Sequence, residues 1–187
     1  MARIAFVLGN DFEDSEFRIP YDLLSASGHQ IDLVGIEAGK TVVGKHGKEQ
    51  VELEVTVEDA DPNIYDALYI PGGYSPDHLR TDAAMVDFTE QMADRGKPIA
   101  AICHGPSLLI EADVVRGKVL TSWPSIKTDL RNAGAKWVDN EVVVDGQLIT
   151  SRKPADLAVF TRTIDLQLGT RPEAISRAGK PHAHPRH

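Results

Sequence analysis

Residues 97–112 read Lys-Pro-Ile-Ala-Ala-Ile-Cys-His-Gly-Pro-Ser-Leu-Leu-Ile-Glu-Ala and carry the strongest structural signal in the chain. The short apolar run from Ile99 to Ile102 follows a proline and has the length and composition of a strand buried on both faces. Residues 107–112 suit a buried helix, and Pro106 fits a helical first turn. Cys103 is therefore predicted at a tight turn between a buried strand and a helix.

This position predicts a reactive thiol. Ala101 and Gly105 are small residues two before and two after Cys103, as in a nucleophile elbow, where the side chain projects into a cleft. The N–H groups at the start of the following helix favour thiolate over thiol. A lone cysteine is more often a small buried hydrophobe, but the turn and the adjacent His104 favour a functional group here.

Composition argues against several classes of protein. The chain has 187 residues and a formal net charge of −8, from 20 Lys and Arg against 28 Asp and Glu, so nucleic acids and anionic membranes are not expected as partners. The single cysteine permits no intramolecular disulfide, which points to a reducing compartment. The N-terminal apolar run is too short for a signal peptide, and no stretch reaches the length of a membrane span. We expect a soluble, cytoplasmic protein.

Strand-like and helix-like segments alternate along the chain, which predicts an α/β fold with a mostly parallel sheet. Hydrophobic periodicity predicts strands at 3–8, 29–35, 67–70 and 99–102, a polar loop at 74–78, and helices at 17–28, 81–95, 125–133 (capped by Ser125) and 155–168. Residues 41–57 read as an antiparallel excursion with His46 in its solvated turn, and residues 142–150 as a hairpin. We therefore predict one α/β domain at 1–169 and a polar, flexible tail at 170–187.

Two loops after predicted strands carry candidate functional residues. Gly72 and Gly73 follow the strand at 67–70, where parallel sheets bind ligands and where glycine permits close backbone approach; a plain turn is the alternative. The loop at 10–16 holds four carboxylates in seven residues, an arrangement that is costly unless one is protonated or held apart. Asp11 and Asp14 are interpreted as ordinary acidic residues at a helix start.

Several motifs occur together in this chain. They are Ala-Ile-Cys-His-Gly-Pro at 101–106, Pro-Gly-Gly at 71–73, Phe-Glu-Asp-x-Glu at 12–16, and the segments 117–134, 137–146 and 150–157. Together they closely resemble the PfpI/ThiJ family over roughly residues 3 to 168. The resemblance implies a flavodoxin-like fold similar to that of class I glutamine amidotransferases, in which helices sandwich a parallel sheet as an α/β/α sandwich.

The resemblance also implies roles for single residues. Cys103 matches the nucleophile of the family, and His104 matches the adjacent histidine. Glu16 and Glu13 match two acidic positions in the first loop, and Glu16 is expected beside the thiol. A carboxyl group in a partly desolvated cleft is pushed toward its neutral form and can donate a hydrogen bond to sulfur, which would stabilise the thiolate.

Other expected roles concern the backbone and a second subunit. The N–H groups of Gly72, Gly73 and His104 are expected to form the oxyanion site. Asp77 corresponds to a glutamate that, in protease-type members, looks like the third member of a Cys-His-acid triad from a neighbouring subunit. It is one methylene shorter here, and the triad would require a homodimer or a higher homo-oligomer. Tyr74 and His78 are candidates for the walls of the cleft, with a plain loop position as the alternative, and Trp123 and Arg152 are further candidates for its walls.

Two functions from different classes fit these residues. The first is a stress-response cysteine hydrolase of the glyoxalase or deglycase type, in which Cys103 attacks reactive carbonyl compounds or their protein adducts; a PfpI-type intracellular peptidase is its variant. A small cleft favours the carbonyl substrates. The second is a non-enzymatic redox sensor or chaperone with an oxidisable Cys103. Neither function calls for a cofactor or metal, and the histidines at 182, 184 and 187 are not expected to form a metal site.

Overall fold

The structure of the protein is a computed structural model, and the residues it describes are 1–169. The predicted tail at 170–187, with its three histidines, lies outside the described residues. The strands are β1 Arg3–Val7, β2 Gln30–Gly35, β3 Thr41–Val43, β4 Gln50–Glu52, β5 Val55–Thr56, β6 Ala67–Ile70, β7 Ile99–Ile102, β8 Val119–Leu120, β9 Lys136–Trp137, β10 Val142–Asp145 and β11 Leu148–Ser151. The α-helices are α1 Asp14–Ala26, α2 Ser75–Leu79, α3 Ala83–Asp94, α4 Pro106–Glu111, α5 Lys127–Asn132 and α6 Leu157–Gly169.

Seven of the described strands form the main sheet, in the order β10-β11-β7-β6-β1-β2-β5. Its neighbours pair in parallel except for β10 and β11, which form the predicted antiparallel hairpin. The chain leaves β1 for β2 and β5 on one side and then returns to β6 on the other. Ligands bind beyond the carboxyl ends of strands at such a reversal, and the loops after β1, β6 and β7 meet there.

The sheet is buried on both faces, as the continuous apolar strands predicted. In β1, Ala5 and Val7 pack with α3, α4 and α5 in one core, while Ile4 and Phe6 face the opposite core formed with α1 and α6. The α/β/α sandwich with a mostly parallel sheet is therefore confirmed. None of the helices within residues 1–169 has the length and hydrophobicity needed to span a bilayer.

Two elements near the reversal differ from the predicted ones. Helix α1 begins at Asp14, three residues earlier than predicted, so Glu16 lies in its first turn rather than in a loop. Residues 75–79 are the short helix α2 instead of a polar loop, because Pro76 sits in its first turn and the Tyr74 carbonyl accepts from the N–H groups of Asp77 and His78.

Two other segments also differ. The excursion at 41–57 is antiparallel only between β3 and β4; Val55 and Thr56 instead extend the main sheet in parallel beside β2. Ser125 does not cap a helix, since it lies inside a 3-10 turn, Pro124–Ile126, that precedes α5. Its hydroxyl is thereby free to contact the neighbouring loop.

Candidate active site

The backbone at Cys103 forms the predicted tight turn. Cys103 has a φ of 63°, in the left-handed region that non-glycine residues rarely adopt. Its N–H donates to the Ser151 carbonyl at 3.1 Å, which ties the turn to the end of β11. Gly105 is required for the turn, because a Cβ there would lie 2.6 Å from the Ile70 carbonyl oxygen. This geometry directs the half-buried thiol into a pocket at the carboxyl end of the sheet.

Glu16 reaches the same point from α1. The residue is fully buried, and its Oε1 accepts a 2.8 Å hydrogen bond from the Gly72 N–H. Burial raises the pKa of Glu16 to about 8, with the Glu13 charge adding to the rise, while the Gly72 N–H and the adjacent Cys103 thiol oppose it. Its other oxygen, Oε2, is buried and completes no hydrogen bond of ordinary geometry. The carboxyl group is therefore mostly protonated at neutral pH, chiefly because it is buried.

The thiol itself is harder to ionise than the sequence suggested. Burial raises the pKa of Cys103 to about 12, and the negative charge of ionised Glu16 raises it further. The N–H groups of Gly73 and His104 and the charge of Lys45 oppose the rise without overcoming it. Helix α4 has only six residues, so burial outweighs the expected effect of a helix start. A thiolate forms here only with the help of a proton acceptor.

His104 is placed to accept that proton. Its Nδ1 lies 3.3 Å from the Cys103 sulfur, and its Nε2 lies 3.0 Å from the Ser125 hydroxyl. Burial lowers the pKa of His104, the Lys45 charge lowers it further, and the Asp77 charge acts in the opposite direction. The ring is therefore neutral at neutral pH. Asp77 is exposed on α2 and influences the ring through space, while both ring nitrogens are engaged by other residues of the same chain.

Glu13 forms an ionic cluster at the edge of the pocket. Its Oε2 lies 3.5 Å from the Lys45 ammonium and 3.1 Å from His46 Nε2, and its Oε1 accepts from the Ser15 hydroxyl at 2.9 Å. His46 is half exposed, but it contacts Glu13 and is not the purely solvated residue that the sequence predicted. The cluster places the Lys45 ammonium group in the same pocket as Cys103 and His104.

Asp14 holds the loop that carries this cluster. Its carboxylate accepts from the backbone N–H groups of His46, Lys48 and Glu49, each at 2.9 Å. Burial alone would raise the pKa of Asp14, but these N–H groups outweigh it and lower the pKa. Gly44 is required beside it, because a Cβ at that position would collide with the Asp14 carboxylate. Asp14 therefore lies at a helix start, as interpreted from the sequence, and in addition holds this loop.

These groups surround one pocket of about 350 Å³. Its lining comprises Glu13, Glu16, Lys45, Gly73, Tyr74, Cys103, His104, Trp123 and Pro154. Tyr74 and Trp123 are thus wall residues, as expected from the sequence. His78 lines a separate cavity and faces Asp11 at 3.6 Å, and Arg152 pairs with Asp139 and Asp156. Neither residue lines the pocket around Cys103.

The two glycines after β6 have different tasks. Gly73 has a φ of 77°, and a Cβ there would collide with the Asp11 carbonyl oxygen, so its N–H reaches the pocket only because it is glycine. The Gly72 N–H is already donated to Glu16. Gly72 is therefore not a free oxyanion donor, contrary to the prediction. The N–H groups of Gly73 and His104 remain for that role.

Lys45 and Ser125 are site residues that the sequence did not reveal. Lys45 lies in a turn-forming segment that reads as solvated, and Ser125 reads as a helix cap. Both reach the site through tertiary contacts, and no local pattern marks such contacts. Within residues 1–169, the side chains form no group of three or more His, Cys, Asp or Glu suited to a metal ion.

Comparisons with known proteins agree on the same family. A family model described as DJ-1/PfpI family matches residues 2–165. The chain is 48% identical over 161 residues to protein/nucleic acid deglycase 2 of Escherichia coli (strain K12), covering 86% of this chain and 94% of that protein. It is 46% identical over 161 residues to general stress protein 18 of Bacillus subtilis (strain 168), with coverage of 86% and 94%.

A solved structure matches the fold closely. It is a two-domain protein from Anabaena variabilis with DJ-1/ThiJ/PfpI-like and ferritin-like domains, and it superposes with a TM-score of 0.89 at 40% identity. The match covers 90% of this chain and 48% of that one. This chain therefore spans about half the length of that two-domain protein.

Proposed function

Because the chain belongs to the DJ-1/PfpI family, we propose that it is a cysteine-dependent hydrolase of reactive carbonyl compounds and their protein adducts, of the glyoxalase or deglycase type. The observation that carries this proposal is the placement of Cys103 between a neutral His104 and a protonated Glu16 in one small pocket. The name of the relative from E. coli, a deglycase, supports the same chemistry.

The first step forms a bond between sulfur and carbon. An α-oxoaldehyde enters the pocket, and the Cys103 sulfur attacks its aldehyde carbon while His104 Nδ1, 3.3 Å away, takes the thiol proton. The carbonyl electron pair moves to oxygen, and the N–H groups of Gly73 and His104 stabilise that oxyanion. Protonation of the oxygen gives a hemithioacetal. A base is required at this step because the thiol has a raised pKa.

The second step isomerises and releases the product. The hydrogen on the former aldehyde carbon moves to the adjacent carbonyl carbon, assisted by Glu16 or His104, and the hydroxyl proton moves to the oxygen of that second carbon. The product is a thioester of a 2-hydroxy acid. Water then attacks the thioester, and the sulfur leaves as thiol after regaining a proton. The sum is one α-oxoaldehyde plus one water to one 2-hydroxy acid, with the enzyme unchanged.

Adducts on proteins react through the same series of steps. An amine or thiol adduct of the aldehyde carries its leaving group on the carbon that Cys103 attacks. The thiol proton, held on His104, passes to the departing amine or thiol, so the repaired side chain is released and the hemithioacetal remains on the enzyme. The open pocket wall at Tyr74 and Trp123, both exposed large side chains, gives a protein-bound adduct access.

The pocket volume, the thiol pKa and the net charge of the chain all favour small carbonyl substrates over the alternatives. A pocket of about 350 Å³ is at the small end for ligand sites and fits a short adduct better than an extended peptide, which places peptidase activity second. The raised thiol pKa disfavours a peroxide sensor, because oxidants select thiolates. Although the relative's name includes nucleic acids, the formal net charge of −8 disfavours a polyanionic partner.

The proposed function also has a cellular setting and an oligomeric state. General stress protein 18 is a relative at 46% identity, which supports a role in the stress response for this chain. A catalytic thiol that must stay reduced fits the cytoplasm. We also propose a homodimer or higher homo-oligomer, in which Asp77, an exposed residue of α2, is available to a neighbouring copy.

Turnover of methylglyoxal tests the proposal. Purified protein is mixed with methylglyoxal in large excess, and lactate is counted per protein molecule, with Cys103→Ala as the matched control. We expect many lactates per protein and none above background for the variant. At most one carbonyl consumed per thiol would reject the hydrolase and would direct the search to peptide cleavage and then to peroxide titration.

A further inference from the structure

A missing hydrogen bond in α1 singles out the backbone of Glu16. In an α-helix the carbonyl of a residue accepts from the N–H four residues later, and the residue four after Glu16 is Pro20, which lies inside α1. Proline has no N–H, and its ring crowds the carbonyl four residues before it. The Glu16 carbonyl is therefore without its helical donor although Glu16 is fully buried, a costly situation if nothing replaces the donor.

Tyr69 supplies the replacement. Its hydroxyl donates to the Glu16 carbonyl oxygen at 2.5 Å from the adjacent strand β6. Tyr69 is fully buried, and its ring is stacked on Phe6 with centroids 4.3 Å apart. Burial and the charge of ionised Glu16 both raise the pKa of Tyr69, so the hydroxyl keeps the proton that it donates. The ring packing leaves the hydroxyl little freedom to turn away.

The same strand also holds the side chain of Glu16. Gly72 follows β6 three residues after Tyr69, and its N–H donates to Glu16 Oε1 at 2.8 Å. A Cβ on Gly72 would lie 2.5 Å from Glu16 Oε1 and 2.6 Å from the Cys103 Cβ, so the acid and the thiol both pack against this one residue. Glu16 is thus fixed at its carbonyl and at its carboxyl by groups from one short segment.

We propose that Pro20 and Tyr69 form a positioning pair for Glu16: the proline removes the helical donor, and the tyrosine hydroxyl ties the Glu16 carbonyl to β6, so that the carboxyl group is held beside Cys103. The pair touches neither thiol nor substrate and acts through Glu16. Its importance for turnover rests on the proposed function, whereas its effect on the reactivity of Cys103 does not.

A double-mutant cycle tests this pair with Tyr69→Phe, Pro20→Ala and the two combined. Tyr69→Phe alone leaves the Glu16 carbonyl without a donor. The combined variant restores one, because the alanine that replaces Pro20 has an N–H at the helical position. Tyr65→Phe is the matched control, since Tyr65 is equally buried and its hydroxyl bonds Asp32 at 3.0 Å. Asp32 lies on β2, three strands away from β7, which ends beside Cys103.

The first readout is the rate at which iodoacetamide alkylates Cys103 as a function of pH, which requires no turnover. For Tyr69→Phe we expect the midpoint to move down toward that of Glu16→Gln, because a displaced carboxylate raises the thiol pKa less. The combined variant should return to the profile of Pro20→Ala. Tyr65→Phe should lower the denaturation midpoint and leave the profile unchanged.

The second readout is the split between kcat and KM with methylglyoxal. Tyr69→Phe should lower kcat about tenfold with KM within about twofold, and the combined variant should recover most of that loss. The proposal is overturned if Tyr69→Phe behaves as Tyr65→Phe does, or if the combined variant differs from Pro20→Ala. Should Tyr69→Phe fail to fold, the comparison of the combined variant with Pro20→Ala decides. Should the wild type lack turnover, the proposed function fails and the alkylation profiles still judge the pair.

Discussion

The Nε2 atom of His104 lies 3.0 Å from the Oγ atom of Ser125, so a hydroxyl of the same chain orients the ring that contacts the Cys103 sulfur. If Nε2–H donates to Ser125, then Nδ1 presents its lone pair to the thiol, and both bonds persist once Nδ1 has accepted the proton. An orienting carboxylate would stabilise the charged ring, whereas a hydroxyl stabilises it less. A His104 with a lowered pKa agrees with this arrangement.

Variants of Ser125 and Asp77 show which of the two residues orients His104. Ser125→Ala should lower kcat about fivefold to tenfold with little change in KM, the value of one hydrogen bond, and Asp77→Asn should lower it less. Steady-state kinetics with methylglyoxal measure both effects. Near-complete loss in Asp77→Asn with a neutral Ser125→Ala would instead favour an acid supplied across subunits, and the oligomeric state of both variants would then need comparison.

Replacement of Glu16 should separate reactivity from turnover. Glu16→Gln removes a charge that raises the Cys103 pKa, so alkylation at alkaline pH should be roughly tenfold faster, as for a pKa lower by one unit. Turnover should fall about a hundredfold or more, because an amide carries no proton. Alkylation and turnover that fall together would contradict this role for Glu16.

The protonation of Glu16 should also set how turnover by the wild type depends on pH. An acid whose pKa is raised is protonated below that pKa and loses its proton above it. Since the pKa of Glu16 is raised to about 8 by burial, turnover should decline as the pH rises through about 8. The pH profile of kcat measures this decline. The control is Glu16→Gln, whose residual activity should show no decline near pH 8.

Asp14→Asn should weaken the loop at residues 44–49. A carboxyl group whose pKa is lowered on folding stabilises the protein above its unfolded pKa, and this contribution is lost as the pH falls through the folded pKa. We expect a loss of about 1–3 kcal/mol at neutral pH that shrinks under acid conditions, measured by urea denaturation. Asp11→Asn, at an exposed carboxylate in the same region, should cost much less. Equal losses for the two variants would contradict the account.

Gly72→Ala tests the close packing of acid and thiol. The added Cβ would lie 2.5 Å from Glu16 Oε1 and 2.6 Å from the Cys103 Cβ, so the site must open, at a cost of about 1–3 kcal/mol and most of the activity. Gly9→Ala is the matched control, because its Cβ would meet Leu79 Cδ2 at an ordinary 3.4 Å. Retention of activity in Gly72→Ala would show that the two groups do not need this contact.

The fold could be predicted because its signals are local. Buried parallel strands are short apolar runs, and four of them appear in the sequence nearly as the structure has them, with the helices between them. The turn after a buried strand marked Cys103 and His104, whereas the place of Glu16 beside the thiol was implied by the family resemblance. The parallel topology agrees with it, because the loops after such strands meet at one end of the sheet.

The remaining features depend on tertiary contacts that carry no local pattern. Asp14, at the start of α1, bonds a loop thirty or more residues away. Ser125 lies inside a 3-10 turn and contacts His104. Burial by the surrounding layers raises the pKa of the Cys103 thiol, and the short helix α4 does not offset this rise. His78, a candidate for either the cleft or a loop surface, lies on α2 and faces Asp11.

The most direct test of covalent catalysis is a pulse-chase experiment read by peptide mass spectrometry. Protein is mixed briefly with isotope-labelled methylglyoxal, quenched in acid and digested, and a parallel sample receives excess unlabelled substrate before the quench. We predict one labelled adduct on the peptide that contains Cys103, absent in Cys103→Ala and displaced by the chase as labelled lactate appears. An adduct that persists through the chase, or lactate formed without any adduct on Cys103, would contradict the account.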